Sequence, residues 1–366
     1  MSVNRSPEGK KKLISYIAVL IGILSLFAFG IASNHLLPGN PAGKTQGALE
    51  WHWTERIEKV GGPAAYEELK ASIKGLSLTS QHRQAHIFGA AAYHVLGLEV
   101  TTICDDSYFY GCFHEAIGQA LSEHGLSVLS DIQDICAAKL PDPTRCWHSI
   151  GHGLVATLGY SPKDLESATP ECRKLSERYA DPRGDCIQGV FMEYNLRTLV
   201  DPELKNQRAA TGDGITPDTM YEPCTSIALF TPTERAFCIF WLPTWWSGVL
   251  SREGKTQTQA YARMGEMCEL LESRREVRAC FEGLGKLTLF NSTLNATQTI
   301  SLCNSASTKE ENRLYCRSSA AYILSFLGGP SRYQDAISTC NGLVGEEKKF
   351  CVAHADLKII SPVLSE

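Results

Sequence analysis

Apolar residues recur three and four positions apart from residue 51 onward, and this spacing is typical of amphipathic helices. The segment from Pro63 to Leu76 opens with a proline, which suits the first turn of a helix, and continues with helical spacing. A serine- and threonine-rich stretch then precedes a second apolar segment, QHRQAHIFGAAAYHVLG. These two segments predict a helical hairpin. Because alternating strand patterns are scarce, the chain is predicted to be all-α.

A different pattern lies near the N-terminus, where Leu13 to Ala32 form 20 residues without a charge. Such a run is long enough to cross a bilayer as a helix. Basic residues precede it, which places the N-terminal end in the cytoplasm. A cleaved signal peptide is the alternative, since the run ends in small residues. We predict a cytoplasmic tail at 1–12, a transmembrane anchor at 13–32, a linker at 33–50 and an extracytoplasmic helical-repeat domain at 51–366.

The 14 cysteines fall into seven short-range pairs in order along the chain. An even count at regular short spacing predicts a disulfide framework, which forms in an oxidising compartment. Cytosolic zinc proteins have tighter cysteine pairs, and none occurs in this chain. The predicted disulfides are Cys104/Cys112, Cys136/Cys146, Cys172/Cys186, Cys224/Cys238, Cys268/Cys280, Cys303/Cys316 and Cys340/Cys351.

The cysteine units share one arrangement. The first cysteine of each pair is predicted late in a helix, a polar segment follows, and the second cysteine is predicted to open an apolar helix. Each disulfide would therefore close the turn of an αα-hairpin. The second cysteines lie between 34 and 52 residues apart, with a mean of about 40. Self-similarity at that period predicts a solenoid of about eight αα-hairpins, seven of them closed by disulfides.

Two stretches depart from the repeat. The longest interval contains Asp201 to Pro223, a polar segment with three prolines and two glycines. It is predicted to be a long loop, either a plain insertion or a lid or partner contact. The second stretch carries Trp241, Trp245 and Trp246, which are either core residues or an aromatic binding surface.

Histidines recur at one position of the first three hairpins. His114 and His148 each lie two residues after a second cysteine, and His86 lies two residues after Gln84, which replaces the cysteine in the first hairpin. Two more histidines lie four residues away on the same helix faces, close enough to share a metal ion. The predicted metal ligands are His82, His86, His114, His148 and His152, with Glu115, Gln119 and Glu193 as supporting side chains.

The number of metal ions depends on how the helices are arranged. Packed helices are 8–10 Å apart, so a straight row would separate His86 from His148 by about 20 Å. Either the solenoid curls, or there are two sites, His82/His86/His114 and His114/His148/His152. Imidazole suits several transition metals, of which zinc or iron is expected here. A structural polar network and solvated histidines are the alternatives to metal binding.

The sequence gives less support to a zinc peptidase, a cysteine nucleophile or a nucleic-acid-binding protein. The H-x3-H pairs lack the glutamate of the H-E-x-x-H zinc peptidases, and the cysteines are assigned to disulfides, which leaves no thiol nucleophile. The net charge of −5 and the absence of a basic stripe exclude a nucleic-acid partner. Whether the protein is an enzyme stays open.

The stapled hairpins resemble those of secreted, cysteine-rich tetratricopeptide-like repeat proteins, in which the concave face binds a partner. The strings HRQAHIFGAAAYHVLG, YGCFHEAIG and CWHSIGHGL, within about residues 80–160, look like those of an uncharacterised group of membrane-anchored bacterial proteins with H-x3-H and C-x-H-x-x-G-H-G motifs. We therefore expect a membrane-anchored extracytoplasmic repeat protein with a histidine-rich metal site. A non-catalytic scaffold that binds a protein or glycan is the alternative.

Overall fold

The computed structural model describes residues 45–105, 107–139, 144–175, 182–199, 208–211, 214–291, 296–328 and 332–358. The predicted cytoplasmic tail, the predicted anchor at 13–32 and most of the predicted linker lie outside these residues. Within the described ranges, no helix combines the length and the apolar character that a membrane span requires.

The described residues form helices and turns without a strand, which confirms the all-α prediction. The helix that begins the domain starts at Gln46, inside the predicted linker, because the Thr45 side chain caps it. The helices are α1 Gln46–Val60, α2 Gly62–Ile73, α3 Leu78–Leu96, α4 Gly111–His124, α5 Leu129–Lys139, α6 Thr144–Leu158, α7 Pro162–Lys174, α8 Pro182–Leu196, α9 Pro232–Arg252, α10 Gln257–Glu269, α11 Arg274–Asn291, α12 Ala296–Ala306, α13 Glu310–Gly328, α14 Tyr333–Ser338 and α15 Gly345–Ala355.

The helices pack in two rows. The inner row consists of the second helices of the units, and each contacts the next in the order α3, α4, α6, α8, α9, α11, α13, α15. The outer row contains the first helices, of which α5, α7, α10, α12 and α14 each pack on the inner helix of their own unit. The inner row carries most of the apolar core and also carries the histidines.

All seven predicted disulfides are present, and their Cα atoms lie between 5.5 Å and 6.1 Å apart. Each bridge joins an outer segment to the inner helix that follows it, so the disulfides hold the two rows together rather than linking one repeat to the next. The confirmed pairs are Cys104–Cys112, Cys136–Cys146, Cys172–Cys186, Cys224–Cys238, Cys268–Cys280, Cys303–Cys316 and Cys340–Cys351.

The predicted position of the first cysteine, late in a helix, is correct for four of the seven pairs. These four cysteines are Cys136 in α5, Cys172 in α7, Cys268 in α10 and Cys303 in α12. The prediction is wrong for the other three, which lie in turns: Cys104, Cys224 and Cys340. A turn suffices at these positions, because the bridge requires only that its two Cα atoms come close together.

The prediction that the second cysteine opens its helix is wrong for the later units. In α9, α11, α13 and α15 the cysteine is the seventh residue of the helix; these are Cys238, Cys280, Cys316 and Cys351. Earlier in the chain the offset is smaller: the cysteine is the second residue of α4, the third of α6 and the fifth of α8, at Cys112, Cys146 and Cys186. Only Cys112 and Cys146 therefore lie in the first turn, as predicted.

Charge explains the additional helical turn before the later cysteines. Glu310 and Glu311 lie in the first turn of α13, and Glu346 and Glu347 lie in that of α15. Acidic side chains stabilise the N-terminal end of a helix, so these polar residues continue the helix instead of forming a loop. Polarity alone does not distinguish a loop from a solvated first turn.

Glycines let the inner helices approach one another closely. Gly89, Gly151 and Gly285 occupy the same position of three inner helices, five residues after the second cysteine or, in α3, after Gln84. A Cβ atom at any of them would lie between 2.0 Å and 2.5 Å from the carbonyl oxygen of the second cysteine in the next unit. Only a residue without a side chain fits this contact. The glycine therefore sets the spacing between neighbouring inner helices.

The inner row curls back on itself. Phe326, near the end of α13, lies against Tyr110 at the start of α4, with ring centroids 6.2 Å apart. Tyr110 in turn lies 6.2 Å from the His148 ring on α6. The late part of the array thus reaches the helices that carry the histidines.

The described part of the predicted loop packs on the core. Arg208 stacks over the Trp245 ring at 3.6 Å and donates a hydrogen bond to the Glu222 carbonyl at 2.6 Å. Trp241, Trp245 and Trp246 are all buried, which favours the core interpretation of these tryptophans. Residues 201–207 and 212–213 lie outside the described part of the chain, so the lid interpretation stays a prediction.

We expect the disulfides to contribute separately to stability. Replacing both Cys268 and Cys280 with serine removes one bridge, of sequence separation 12. Because the bridge restricts the unfolded chain, its loss should lower the free energy of unfolding by about 2–3 kcal/mol. Denaturant titration measures the change. Mass mapping of the unreduced variant serves as the control, and long-range pairing among the remaining cysteines would contradict the hairpin arrangement.

The tight glycine contacts predict a second difference in stability. Gly265→Ala in α10 would place a Cβ atom 1.6 Å from the Ala306 carbonyl oxygen, so the helices must separate. We expect a loss of at least about 2 kcal/mol. The matched control is Gly47→Ala in α1, where nothing lies within 4 Å and a gain of about 0.5–1 kcal/mol is expected. Equal denaturation midpoints for the two variants would contradict the role of close packing.

Candidate metal centre

The five predicted histidines lie together in the inner row, on α3, α4 and α6. The His114 ring is central, with centroids 5.5 Å from the His86 ring and 5.3 Å from the His148 ring. The separation of about 20 Å that a straight row would give His86 and His148 is not found, because both rings lie within 5.5 Å of the His114 ring. It assumed ordinary helix spacing, whereas Gly89 and Gly153 allow neighbouring helices to approach more closely.

The first half of the site consists of His82 and His86 on α3. Their Nε2 atoms lie 3.2 Å apart. The Nδ1 atom of His82 is 2.6 Å from the Tyr108 carbonyl oxygen, and the Nδ1 atom of His86 is 3.0 Å from a Glu115 carboxyl oxygen. Both rings are thus held from behind, and their Nε2 atoms face each other.

The second half repeats this arrangement with His148 and His152 on α6. Their Nε2 atoms are also 3.2 Å apart. The Nδ1 atom of His148 is 3.2 Å from the Asp185 carbonyl oxygen, and the Nδ1 atom of His152 is 2.8 Å from a Glu193 carboxylate oxygen. Each half therefore has one histidine on a backbone carbonyl, one on a glutamate, and two converging Nε2 atoms.

The backbone carbonyls determine the protonation of two rings. A carbonyl oxygen only accepts hydrogen bonds, so Nδ1 of His82 and of His148 must carry the proton. In the neutral ring the Nε2 atom then carries a lone pair. Each lone pair points toward the Nε2 atom of the second histidine of its half, where a proton or a metal ion is needed.

Glu193 strengthens this requirement in the second half. It accepts hydrogen bonds from the Tyr160 hydroxyl at 2.6 Å, the Thr198 hydroxyl at 2.5 Å, and the backbone N–H groups of Thr198 and Leu199 at 3.1 Å. Burial raises the pKa of Glu193, but the donors, led by His152, outweigh it and lower the pKa below its ordinary value. Because these hydroxyl and backbone donors occupy its oxygens, Glu193 stays ionised. The Nδ1–H group of His152 therefore donates its hydrogen bond to the Glu193 carboxylate.

Glu115 supports the first half less strongly. Its other side-chain donor is Gln119, at 2.9 Å, and Glu115 is buried. Desolvation therefore dominates and raises the pKa of Glu115 to about 7. The two halves share a geometry but differ in charge, since only the second has a carboxylate held firmly in its ionised form.

His114 lies between the two halves and is fully buried. Its ring is nearly parallel to that of His152, at an angle of 20° and a centroid distance of 4.2 Å. Neither ring nitrogen has a hydrogen-bond partner within the described ranges of the chain. The protein side chains of the described ranges thus leave this ring unsatisfied, and each unpaired buried nitrogen costs roughly 1–3 kcal/mol.

The histidines form two trios that share His114, the two sets that the sequence indicated. In each trio, His82/His86/His114 and His114/His148/His152, one nitrogen from each ring lies within 4.8 Å of the others. The Nε2 pairs at 3.2 Å match the separation of about 3.3 Å between two nitrogens bound tetrahedrally to one zinc ion at 2.0–2.1 Å. Either trio could hold a transition-metal ion.

The surroundings keep four of the histidines neutral. Desolvation by burial lowers the pKa of His82 and of His86 to about 3, and it lowers the pKa of His114 and of His148 well below the ordinary value. Neutral imidazole is the form that binds metal ions.

Several supporting residues were not found from the sequence. Tyr160 and Thr198 hold Glu193, but they lie outside the repeated positions that drew attention to the histidines. The left-handed backbone of Tyr108, Phe109 and Tyr110, with φ between 54° and 60°, presents the carbonyl that holds His82. Such a run of non-glycine residues is rare and typical of functional sites.

Lys286 was also missed. It is buried on α11, with Nζ 2.9 Å from the centroid of the Trp241 ring and 3.3 Å from the Thr244 hydroxyl. Desolvation holds the pKa of Lys286 well below its ordinary value, and a charge on Lys286 would lower the pKa of His148. The position of Lys286 in the sequence of α11 gave no signal that its charge would act on His148, which lies far earlier in the chain.

Comparison of the chain with protein-family models, with curated proteins and with solved structures finds no match to any of them.

The depressed histidine pKa values predict acid sensitivity of the metal-free protein. Between pH 6.5 and pH 3 the unfolded chain binds protons that folded His82 and His86 do not. Stability should therefore be complete above pH 6.5 and fall as the pH decreases, by up to about 1.4 kcal/mol per pH unit for each histidine. Glu115, whose pKa is raised, opposes this trend only partly.

Denaturant titrations in chelator between pH 7 and pH 4 measure this dependence. His86→Gln should flatten the slope, whereas His94→Gln, at an exposed position, should leave it unchanged. A wild-type stability that is constant over this range would contradict neutral, buried histidines.

Proposed function

We propose that this protein binds a transition metal through His82, His86, His114, His148 and His152, with Glu115, Gln119 and Glu193 in support. Zinc or iron is the metal that we propose, because nitrogen donors suit both and the spacing suits tetrahedral zinc. The observation that carries the proposal is the second half of the site. There the Nδ1–H groups of His148 and His152 donate hydrogen bonds to the Asp185 carbonyl and to Glu193. The lone pairs of the two Nε2 atoms, which lie 3.2 Å apart, therefore converge.

Hydrogen bonds behind the histidines support a metal site over a plain polar network. Metal-binding histidines almost always donate their second N–H to a carboxylate or a backbone carbonyl, which orients the ring. Four of the five histidines follow this rule, two with each kind of acceptor. A network built only for packing gains nothing by directing the two Nε2 atoms of each pair toward each other.

The number of ligands favours a reactive site over a structural one. Structural zinc sites have four protein ligands, whereas catalytic sites have three and leave one position for water or substrate. Each trio provides three nitrogens. We therefore propose an open metal site, and with it a metalloenzyme whose reaction is not identified by these residues.

The cellular context follows from the disulfides and from the N-terminal sequence. Seven disulfides indicate an oxidising, extracytoplasmic compartment. We propose that residues 13–32 anchor the chain in a membrane and that the paired helical rows form a disulfide-stapled solenoid on its outer side. Protease accessibility of the domain on intact cells, with lysed cells as the control, tests the placement.

Metal analysis of the purified full-length chain tests the proposed function. We expect bound zinc or iron after purification without chelator, and we expect the double variant His148→Ala/His152→Ala to lose the ion that these two histidines hold. The control removes two exposed histidines, His94→Ala/His124→Ala, and should retain the metal. Circular dichroism confirms folding of both variants. Absence of metal from the wild-type protein, even after incubation with each ion, would refute the proposal.

A further inference from the structure

The histidine at the centre of the site differs from the other four. His82, His86, His148 and His152 each have an acceptor for Nδ1, two of them backbone carbonyls and two of them glutamates. His114 has no protein partner at Nδ1 or at Nε2 in the described residues, although its side chain is fully buried. One metal ion on His114 would satisfy one nitrogen and leave the other without a partner.

The position of His114 shows what could satisfy both nitrogens. His114 belongs to both trios, and the remaining members of each trio are an H-x3-H pair with converging Nε2 atoms. The two pairs lie on opposite neighbours of α4, since α3 precedes it in the inner row and α6 follows it. The ring therefore lies between two sets of donors and contacts both.

We propose that His114 bridges two metal ions as an imidazolate, one ion shared with His82 and His86 and the other with His148 and His152. This inference rests on the proposed function and specifies it further. The neutral ring carries one N–H proton, which leaves to solvent when the second ion takes its place. The bridge has a nitrogen toward each ion, so neither buried nitrogen stays unpaired.

The bridge requires a rotation of the His114 ring. The His114 ring lies nearly parallel to the His152 ring, at 20°, and an ion lies in the plane of the imidazole that binds it. Rotation about the Cβ–Cγ bond of His114 is therefore needed to direct a nitrogen at the ion shared with His152. The His86 ring, tilted at 53° to that of His114, is already oriented differently.

The two halves should fill in a fixed order. Glu193 has four donors besides His152, while Glu115 has the Gln119 amide besides His86. A firmly held carboxylate behind a histidine makes the ring a more basic ligand and raises metal affinity. The first ion should therefore bind with His148 and His152, and the second with His82 and His86.

Copper(II) is the probe, because two copper(II) ions joined by an imidazolate couple magnetically and their spectrum differs from that of isolated ions. We expect the full-length chain, stripped with chelator, to bind two copper(II) ions per chain in two steps. The electron paramagnetic resonance signal should grow up to one equivalent and decline as the second is added. Native mass spectrometry gives the stoichiometry independently.

Variants identify the two positions. His82→Ala/His86→Ala should retain one tightly bound ion with an uncoupled signal. Glu193→Gln should weaken the first step at least tenfold, whereas Glu272→Gln, at an exposed position, should not. His114→Gln should remove the coupling, and circular dichroism tests whether each variant folds.

Each outcome for the wild-type protein has a separate meaning. Two coupled ions support the bridge. Two uncoupled ions, or one ion per chain, would overturn the bridge and leave the proposed metal site intact. No bound ion would overturn the proposed function itself. Because these results come from the unmodified chain, the inference is tested even if a variant fails to fold.

Discussion

Close contact between neighbouring inner helices is the constraint on which the rest of the structure depends. The contact is made where a glycine of one helix meets a backbone carbonyl of the next, and the distances leave no room for a Cβ atom. Where Gly151 of α6 meets Cys186 of α8, Gly189 of α8 also meets His148 of α6, so the approach is reciprocal. Helices that pack this closely bring side chains from different units within reach of a single ion.

The disulfides serve a different purpose from the glycines. They connect the outer segment of a unit to its own inner helix, at sequence separations of 8 to 14 residues. Short closed loops restrict the unfolded chain locally, but they do not determine how one unit packs on the next. Stability within units and spacing between units are therefore controlled by different residues, and only the spacing affects the metal site directly.

The two halves of the site are alike in geometry and unlike in electrostatics. In each half a backbone carbonyl and a glutamate contact the two Nδ1 atoms, and the two Nε2 atoms converge. Glu193 is ionised because hydroxyl and amide donors surround it, whereas the pKa of Glu115 is raised to about 7 because burial is opposed by fewer donors. Two metal positions of unequal affinity would require this combination: the same geometry of histidines in both halves, and a more firmly held carboxylate behind one of them.

The sequence by itself determined the all-α class, the seven sequential disulfides and the five histidines, because each of these depends on residue type at short, regular spacing. Tertiary structure decided how the histidines meet: a straight row with ordinary helix spacing would separate His86 from His148, and the glycine contacts remove that separation. It also decided which groups hold the rings. Tyr160, Thr198 and the carbonyls of Tyr108 and Asp185 lie away from the histidines along the chain and share no repeat position with them, so only the folded backbone brings them together.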